Sequence, residues 1–249
     1  MQYPNTLEFK VWGKYALFSD PITRMGGEKC TCQVPTYEAL KGVLASIYWK
    51  PVFIWVIDDV RVMNPIRTEN KNIRPINYQS PGNTLSVYTY LSNPCYHVRA
   101  HFVWNEQHPE LAADRNEDKH YQIAKRALKK GGRRDVFLGT RECQAYVEPC
   151  GFDEGKGYYD EDGTRDFSLS VHGIDYPDEA GGDMMRLRLW RPKMVNGVIH
   201  FPTPAECDPA LKKDIRKMGK TRFSMERLRE TIDEGGERDG LDASALSNL

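Results

Sequence analysis

The sequence predicts an α+β fold, from two amphipathic helical segments set among short strand-like runs in a split order. Residues 7–12 alternate apolar and polar. Leu40, Val43, Leu44 and Ile47 recur at i, i+3, i+4 and i+7, and 52–57 is an apolar run rich in β-branched and aromatic residues. The pattern then repeats, with a strand-like 96–104, a helical period through His120, Ile123, Ala124, Ala127 and Leu128, and strand material at 135–138 and 142–148. This order matches the ferredoxin-like (RRM-like, split βαβ) plan with one extra strand. A shift of composition near Cys150 suggests 1–149 as the ferredoxin-like domain, 150–232 as a small antiparallel β region and 233–249 as a disordered tail.

Taken in order, the first strand ends at Gly13, and the segment to Lys29 reads as a loop. Its Gly26-Gly27 turn beside Lys29 could offer backbone N–H groups to an anion, but it lacks the spacing of a nucleotide-binding fingerprint. Thr36 is a candidate N-cap for the first helix, which stops near Trp49, before Pro51. Tyr48 falls at the edge of its apolar stripe. The run 52–57 reads as a central strand continuing through Val60 and Val62. Asp58 and Asp59 are adjacent and so point to opposite faces, which argues against a shared metal ion. Residues 64–83, with Pro65, Pro75, Pro81, Arg67, Lys71 and Arg74, read as a long loop.

Strands at 84–91 and 96–104 follow. The second sets Tyr96, Val98, Ala100, Phe102 and Trp104 on one face, and His97, Arg99 and His101 on what should be an exposed polar face. Beyond Cys150, Asp160 and Asp162 sit in a glycine-flanked turn without calcium-loop spacing. Segments 167–172, 184–190 and 198–201, the last after the hairpin signal Asn196-Gly197, suggest a small antiparallel sheet. Arg186 and Arg188 share one of its faces, where phosphate contact competes with simple solvation.

Of 249 residues, 35 are Lys or Arg and 35 are Asp or Glu, so no global basic field draws nucleic acid and any such partner must be held by a local patch. There is no run of eighteen apolar residues and no charged-then-apolar leader, which points to a cytoplasmic protein. The six cysteines, at 30, 32, 95, 143, 150 and 207, fit no zinc spacing and read as reduced thiols, so no metal or cofactor is expected.

The stretch from Asp114 to Tyr121 carries the sharpest chemical signal. It opens a helix with Asp114 or Asn116 as N-cap, and Gly131-Gly132 ends that helix. Lys119 and His120 therefore stand in a first turn whose free N–H groups favour an anion. His120 lies on the apolar side, where a histidine is more often a hydrogen-bonded core residue than a catalyst. The split βαβ order also brings the end of the first helix, with Tyr48, to the end of the helical layer at which Lys119 and His120 start the second.

Several segments can be set together: Val-Trp-Gly-Lys-Tyr-Ala-Leu-Phe-Ser-Asp-Pro (11–21), Gly-Gly-Glu-Lys (26–29), Val-Pro-Thr-Tyr-Glu-Ala-Leu-Lys-Gly (34–42), Ile-Tyr-Trp-Lys-Pro (47–51), Asp-Arg-Asn-Glu-Asp-Lys-His-Tyr (114–121) and Gly-Gly-Arg-Arg-Asp-Val-Phe-Leu-Gly-Thr-Arg-Glu-Cys (131–143). As a set they closely resemble the Cas-five-d (Cas5d) family of type I-C CRISPR systems, pre-crRNA processing endoribonucleases of the repeat-associated mysterious protein superfamily. The resemblance spans roughly 7–205. It implies metal-independent cleavage of CRISPR repeat RNA, with the family's catalytic tyrosine at Tyr48 and its Lys-His pair at Lys119 and His120. It also implies that the protein stays on the crRNA 5′ handle, as one subunit of the surveillance complex beside its backbone and large subunits.

RNA supplies its own nucleophile, the 2′-hydroxyl, so such an enzyme needs a proton acceptor, a proton donor and a cation for the phosphorane; the products are a 2′,3′-cyclic phosphate and a 5′-hydroxyl. Gly26, Gly27, Lys29, Arg67, Arg74, Arg133, Arg134 and Arg141 are the candidate RNA contacts. The same basic residues would also serve a non-catalytic crRNA-binding scaffold subunit, since fold does not fix function.

Overall fold

Leu7, Phe9 and Val11 are buried while the residues between them face outward, and this alternation makes the first strand, β1 (Leu7–Gly13). In the computed structural model, residues 3–24, 27–74 and 85–221 are described. A two-residue strand β2 (Tyr15–Ala16) and a short helix α1 (Pro21–Arg24) precede α2 (Tyr37–Ile47), which Thr36 caps by accepting the Ala39 N–H. Then come β3 (Phe53–Val62), β4 (Thr68–Ile73), β5 (Ser86–Ser92) and β6 (Cys95–Trp104), a 3-10 turn (Pro109–Asp114), and α3 (Glu117–Lys129). The chain continues through β7 (Val136–Phe137), β8 (Gln144–Pro149), β9 (Thr164–Asp166), β10 (Ser170–Asp175), the short α4 (Pro177–Ala180), β11 (Met184–Trp190), β12 (Lys193–Val195), β13 (Val198–His200), a second 3-10 turn (Pro209–Leu211) and β14 (Lys212–Lys217).

The result is a mixed α/β structure of mostly antiparallel sheets and few helices. The largest sheet has the order β7-β8-β1-β6-β3-β13-β12-β9, its neighbours antiparallel. Phe53 stands opposite Trp104 and Val62 opposite Tyr96, with one bulge between Ile57 and Asp59. On one face of this sheet lies the core: Phe9, Trp55, Val98 and Phe102 from the strands against Leu40, Leu44, Ile47, Ala124 and Leu128 from α2 and α3. Each fully buried Leu, Ile or Phe contributes about 1.5–3 kcal/mol, so this layer fixes where the helix ends lie.

Two sequence expectations about the sheets need correction. Residues 64–83 were expected as loop, yet 68–73 form β4, which pairs antiparallel with β5 over its whole length and with β2 makes a separate sheet, β2-β5-β4. Its sequence, Thr-Glu-Asn-Lys-Asn-Ile, has no apolar alternation because neither face enters the core; pairing with β5 holds it, with Glu69 accepting from Tyr15 Oη at 3.2 Å and Lys71 lying over the Tyr15 ring. Pro75 and Pro81 lie outside the described residues.

The face of β6 bearing His97, Arg99 and His101 is covered rather than exposed. His97 and His101 are each 4% exposed. The segment after β8 folds over His97 and Arg99, with Phe152 against Arg99 and the Phe152 carbonyl 3.1 Å from His97 Nδ1, while the Tyr3 ring stacks on His101 and Asp58 reaches it.

The chain beyond Cys150 divides between two sheets. β10, β11 and β14 form a small antiparallel sheet, whereas β9, β12 and β13 extend the largest sheet past β3. The Asn196-Gly197 turn joins β12 to β13, both residues at positive φ. Arg188 does not face solvent beside Arg186: it is 2% exposed and ion-paired with Asp175, with its Nε donating to His172 Nδ1 at 3.2 Å. The segment 233–249 lies outside the described residues. Among the described residues no helix is long and apolar enough to cross a membrane.

Candidate active site

Helix α2 ends because the chain straightens at Tyr48, whose φ of −161° and ψ of 129° are extended, while its N–H still donates to Leu44 O at 2.8 Å. Trp55 Nε1 on β3 donates to the Tyr48 carbonyl at 2.8 Å and fixes that corner. Helix α3 starts at the same end of the layer. Asn116, not Asp114, is its cap, accepting the Lys119 N–H at 3.0 Å. The cap sets the first turn so that His120 points into the layer and Lys119 points out of it.

Tyr48 Oη and His120 Nδ1 are 2.8 Å apart, although the residues are 72 positions apart in the chain. Around the imidazole stand the rings of Tyr48, Phe53 and Trp104, with centroids 5.4–6.0 Å away. His120 Nε2 is 2.8 Å from the Asp114 carbonyl oxygen. A carbonyl only accepts, so Nε2 carries the proton, and in the neutral ring Nδ1 is left to accept from the Tyr48 hydroxyl. If the ring gains a proton, Nδ1 donates to Oη instead. The pair can thus pass a proton between phenol and imidazole without moving a heavy atom.

Access is closed. Tyr48 is 1% exposed and His120 0%, whereas the Lys119 side chain is half exposed at 50%. Lys119 Nζ is ion-paired with the Asp114 carboxylate, which also stands 3.6 Å from His120 Nε2. The bond from Lys119, with the charges of His120 and Lys50, holds the Asp114 carboxyl below the usual carboxylate range. Burial pushes the Tyr48 phenol up, Arg133 opposes this and Asp114 adds to it. The Arg133 guanidinium lies over the Tyr48 ring at 5.0 Å from its centre.

Gly131 and Gly132, at φ of 83° and 104°, close α3 with bonds to Leu128 O and Ala127 O. The turn brings the N–H groups of Arg133 and Arg134 onto Ser46 O, each at 3.1 Å, at the end of α2. The connection then runs to the β2-β5-β4 sheet, where Leu17 N donates to Leu138 O at 3.0 Å and Tyr90 Oη to Glu142 at 3.4 Å. Arg141 in this turn lies over the Phe137 ring at 5.9 Å.

The other candidate contacts lie beside that smaller sheet. Lys29 is over the Tyr88 ring at 5.1 Å, and its carbonyl accepts the Thr89 N–H. Arg67 and Arg74 flank β4 and are exposed, and Gly27 is an exposed turn residue at φ 83°. Gly26 lies outside the described residues. The structure therefore brings Tyr48, Lys119, His120, Arg133 and Arg134 to one place, and sets Gly27, Lys29, Arg67 and Arg74 around a different sheet.

Sequence reasoning missed two features of this site, the Asp114 contacts and the placement of Arg133 on Tyr48. Only the choice between Asp114 and Asn116 as cap hinted at the first, for an aspartate released from capping is free to reach Lys119. Among the described residues, no group of three or more His, Cys, Asp or Glu side chains is placed to hold a metal ion.

The chain that folds into this frame falls in a known class: the family model described as CRISPR-associated protein (Cas5) matches residues 6–202. Within that class the chain belongs to the Cas5d family. It is 28% identical over 227 residues to the CRISPR pre-crRNA endoribonuclease Cas5d of Mannheimia succiniciproducens, spanning 80% of this chain and 95% of that one. It is 30% identical over 152 residues to the Thermus thermophilus protein of the same name, spanning 57% of this chain and 63% of the other. Among solved structures, it is similar to a CRISPR-associated protein and to a functionally uncharacterized protein from Streptococcus mutans. Both match with a TM-score of 0.69 and 35% identity over 82% of this chain, and over 94% and 95% of theirs.

Proposed function

We propose that this chain is a pre-crRNA endoribonuclease that cleaves CRISPR repeat RNA without a metal ion. The observation that carries the reading is the 2.8 Å contact between Tyr48 Oη and His120 Nδ1 beside Lys119, in a chain of the Cas5d family. The RNA 2′-hydroxyl attacks the adjacent phosphorus, the 5′-oxygen leaves, and the products are a 2′,3′-cyclic phosphate and a 5′-hydroxyl. Tyr48 and His120 act as one proton-transfer unit, and Lys119 balances charge on the phosphorane, aided by the α3 N-terminus.

The strand order β8-β1-β6-β3, with α2 and α3 on one face, supports a ferredoxin-like core. We assign RNA binding and catalysis to 1–149, which the described part of 150–232 braces by adding β9, β12 and β13 to its sheet. Gly26, Gly27, Lys29, Arg67, Arg74, Arg133, Arg134 and Arg141 hold the RNA. After cleavage the protein stays on the crRNA 5′ handle, as a cytoplasmic subunit of the type I-C surveillance complex with its backbone and large subunits.

The test incubates purified protein with a repeat hairpin RNA in EDTA, comparing wild type with His120→Ala and an RNA carrying a 2′-deoxy group at the scissile nucleotide. Wild type should cut the all-ribose RNA, while the variant and the deoxy RNA should bind without cleavage. Continued cutting of the deoxy RNA would refute the 2′-hydroxyl mechanism, and loss of activity in EDTA would refute metal independence. A second reading, a non-catalytic crRNA-binding scaffold, is favoured by the closure of Tyr48 and His120 to solvent. It requires that wild type and variant both bind and that neither cuts.

A further inference from the structure

The chain from the end of β6 to the start of α3, residues 105–116, forms a strap that meets the Tyr48–His120 pair at Asp114. None of the residues in its 3-10 turn is buried. It is tied down at both ends. Asn105 Nδ2 donates to Pro51 O at 3.2 Å and to Asp178 O at 2.8 Å, and Arg115 bonds Glu106 and Asn105 O. Between these ties, Asp114 makes two contacts with the site: its carbonyl accepts the His120 Nε2–H bond at 2.8 Å, and its carboxylate lies against Lys119 and 3.6 Å from Nε2.

We propose that Asp114 is a latch whose carboxylate stands where the scissile phosphate sits, and which that phosphate displaces as the strap opens. The inference rests on the endoribonuclease reading. A phosphodiester and an aspartate each carry one negative charge; the Asp114 carboxylate accepts a charge-assisted bond from Lys119 and stands 3.6 Å from the imidazole Nε2, so a phosphate in its place keeps the pairing with Lys119. The Asp114–Lys119 pair is half exposed on the Lys119 side, and exposed pairs of this kind are weak. Opening is also a geometric requirement: a proton-transfer group must come within about 3 Å of the reacting oxygen, and His120 at 0% exposure reaches nothing outside the protein.

The experiment measures binding of the 2′-deoxy repeat RNA, together with the rate at which diethyl pyrocarbonate modifies His120 as read by peptide mass spectrometry. Asp114→Asn keeps the side-chain size and removes the charge. It should lower Kd by roughly fivefold, the factor set by one exposed ion pair, and should speed modification of His120. Glu110→Gln, an exposed strap carboxylate bonded to His108, makes the same change in net charge away from the pair and should do neither.

Equal effects of the two substitutions, or no effect of Asp114→Asn, would overturn the latch. So would slower cleavage of the all-ribose RNA at unchanged Kd, the result expected if Asp114 only orients His120. If wild type cuts no RNA while Asp114→Asn still tightens binding and exposes His120, the latch stands and the catalytic reading falls. If cleavage depends on His120 and Asp114→Asn behaves as wild type, the reverse holds.

Discussion

At the scale of single residues, His120 is the group whose loss is most diagnostic. Replacing it with alanine leaves the buried Tyr48 hydroxyl without its partner, a cost of about 1–3 kcal/mol. That is a fraction of the roughly 5–15 kcal/mol that holds a domain folded, so His120→Ala should fold and bind RNA while cleavage falls about a hundred- to ten-thousandfold. Retained cleavage, measured by single turnover, would rule out His120 as proton carrier. A second histidine sets a pH dependence of stability. Burial, then the Arg188 charge, pushes the His172 pKa down to about 4 from 6.5. The folded chain therefore binds fewer protons than the unfolded one in that interval, so this contribution is full above pH 6.5 and is lost as pH falls toward 4, by up to about 3 kcal/mol. Urea midpoints should fall over that window in wild type and flatten in His172→Asn; equal slopes would discount His172. Helical period made the inward side of His120 legible in the sequence. The depressed His172 was not legible, because its cover comes from Tyr37 on α2 and from Arg188 and Trp190 on β11.

At the scale of elements, the sequence was read best where a local chemical signal coincides with a core face. Helices α2 and α3 have a capping side chain at Thr36 and Asn116, and their apolar stripes face the large sheet, so their existence and facing were legible. β4 was not, because polar residues held by strand pairing and by contacts with the distant Tyr15 leave no periodic trace. The same holds for the segment after β8. Arg61, 8% exposed, clamps it to the sheet through Asp160 at 2.7 Å and the Gly155 carbonyl at 3.0 Å, a contact between residues 99 positions apart. Two measurements follow from these elements. Asn116→Ala should cost about 1 kcal/mol and loosen the turn that aims Lys119 and His120, so cleavage should slow more than thermal stability falls. Arg61→Ala removes one partner of a largely buried pair and strips donors from backbone carbonyls, which should cost about 2–4 kcal/mol. It should also raise hydrogen exchange at 151–160. Unchanged exchange there would mean that the covering of His97 does not depend on Arg61.

At the scale of the whole molecule, the balance of 35 basic against 35 acidic residues removes long-range attraction as an explanation for RNA binding and leaves the local arrangement to account for it. Two basic groups are available. Arg133, Arg134 and Arg141 lie on one connection, whose start rests on the end of α2 beside Tyr48 and whose end rests on the β2-β5-β4 sheet. Lys29, Arg67 and Arg74 lie beside that sheet. A backbone-tracking RNA path would pass from the proton pair along the connection to the smaller sheet, and each phosphate that it neutralises adds about 0.7 to the log–log salt slope for a single strand. Replacing Arg133, Arg134 and Arg141 together with glutamine should therefore lower the slope by roughly 2 and weaken binding alike for repeat RNA and an unrelated RNA. The matching triple change at Lys29, Arg67 and Arg74 should lower it by a similar amount if both groups touch phosphate. A slope lowered by only one triple would confine the path to that side. A triple that weakens repeat RNA alone would mean that its residues read bases, because phosphate contacts carry no sequence information.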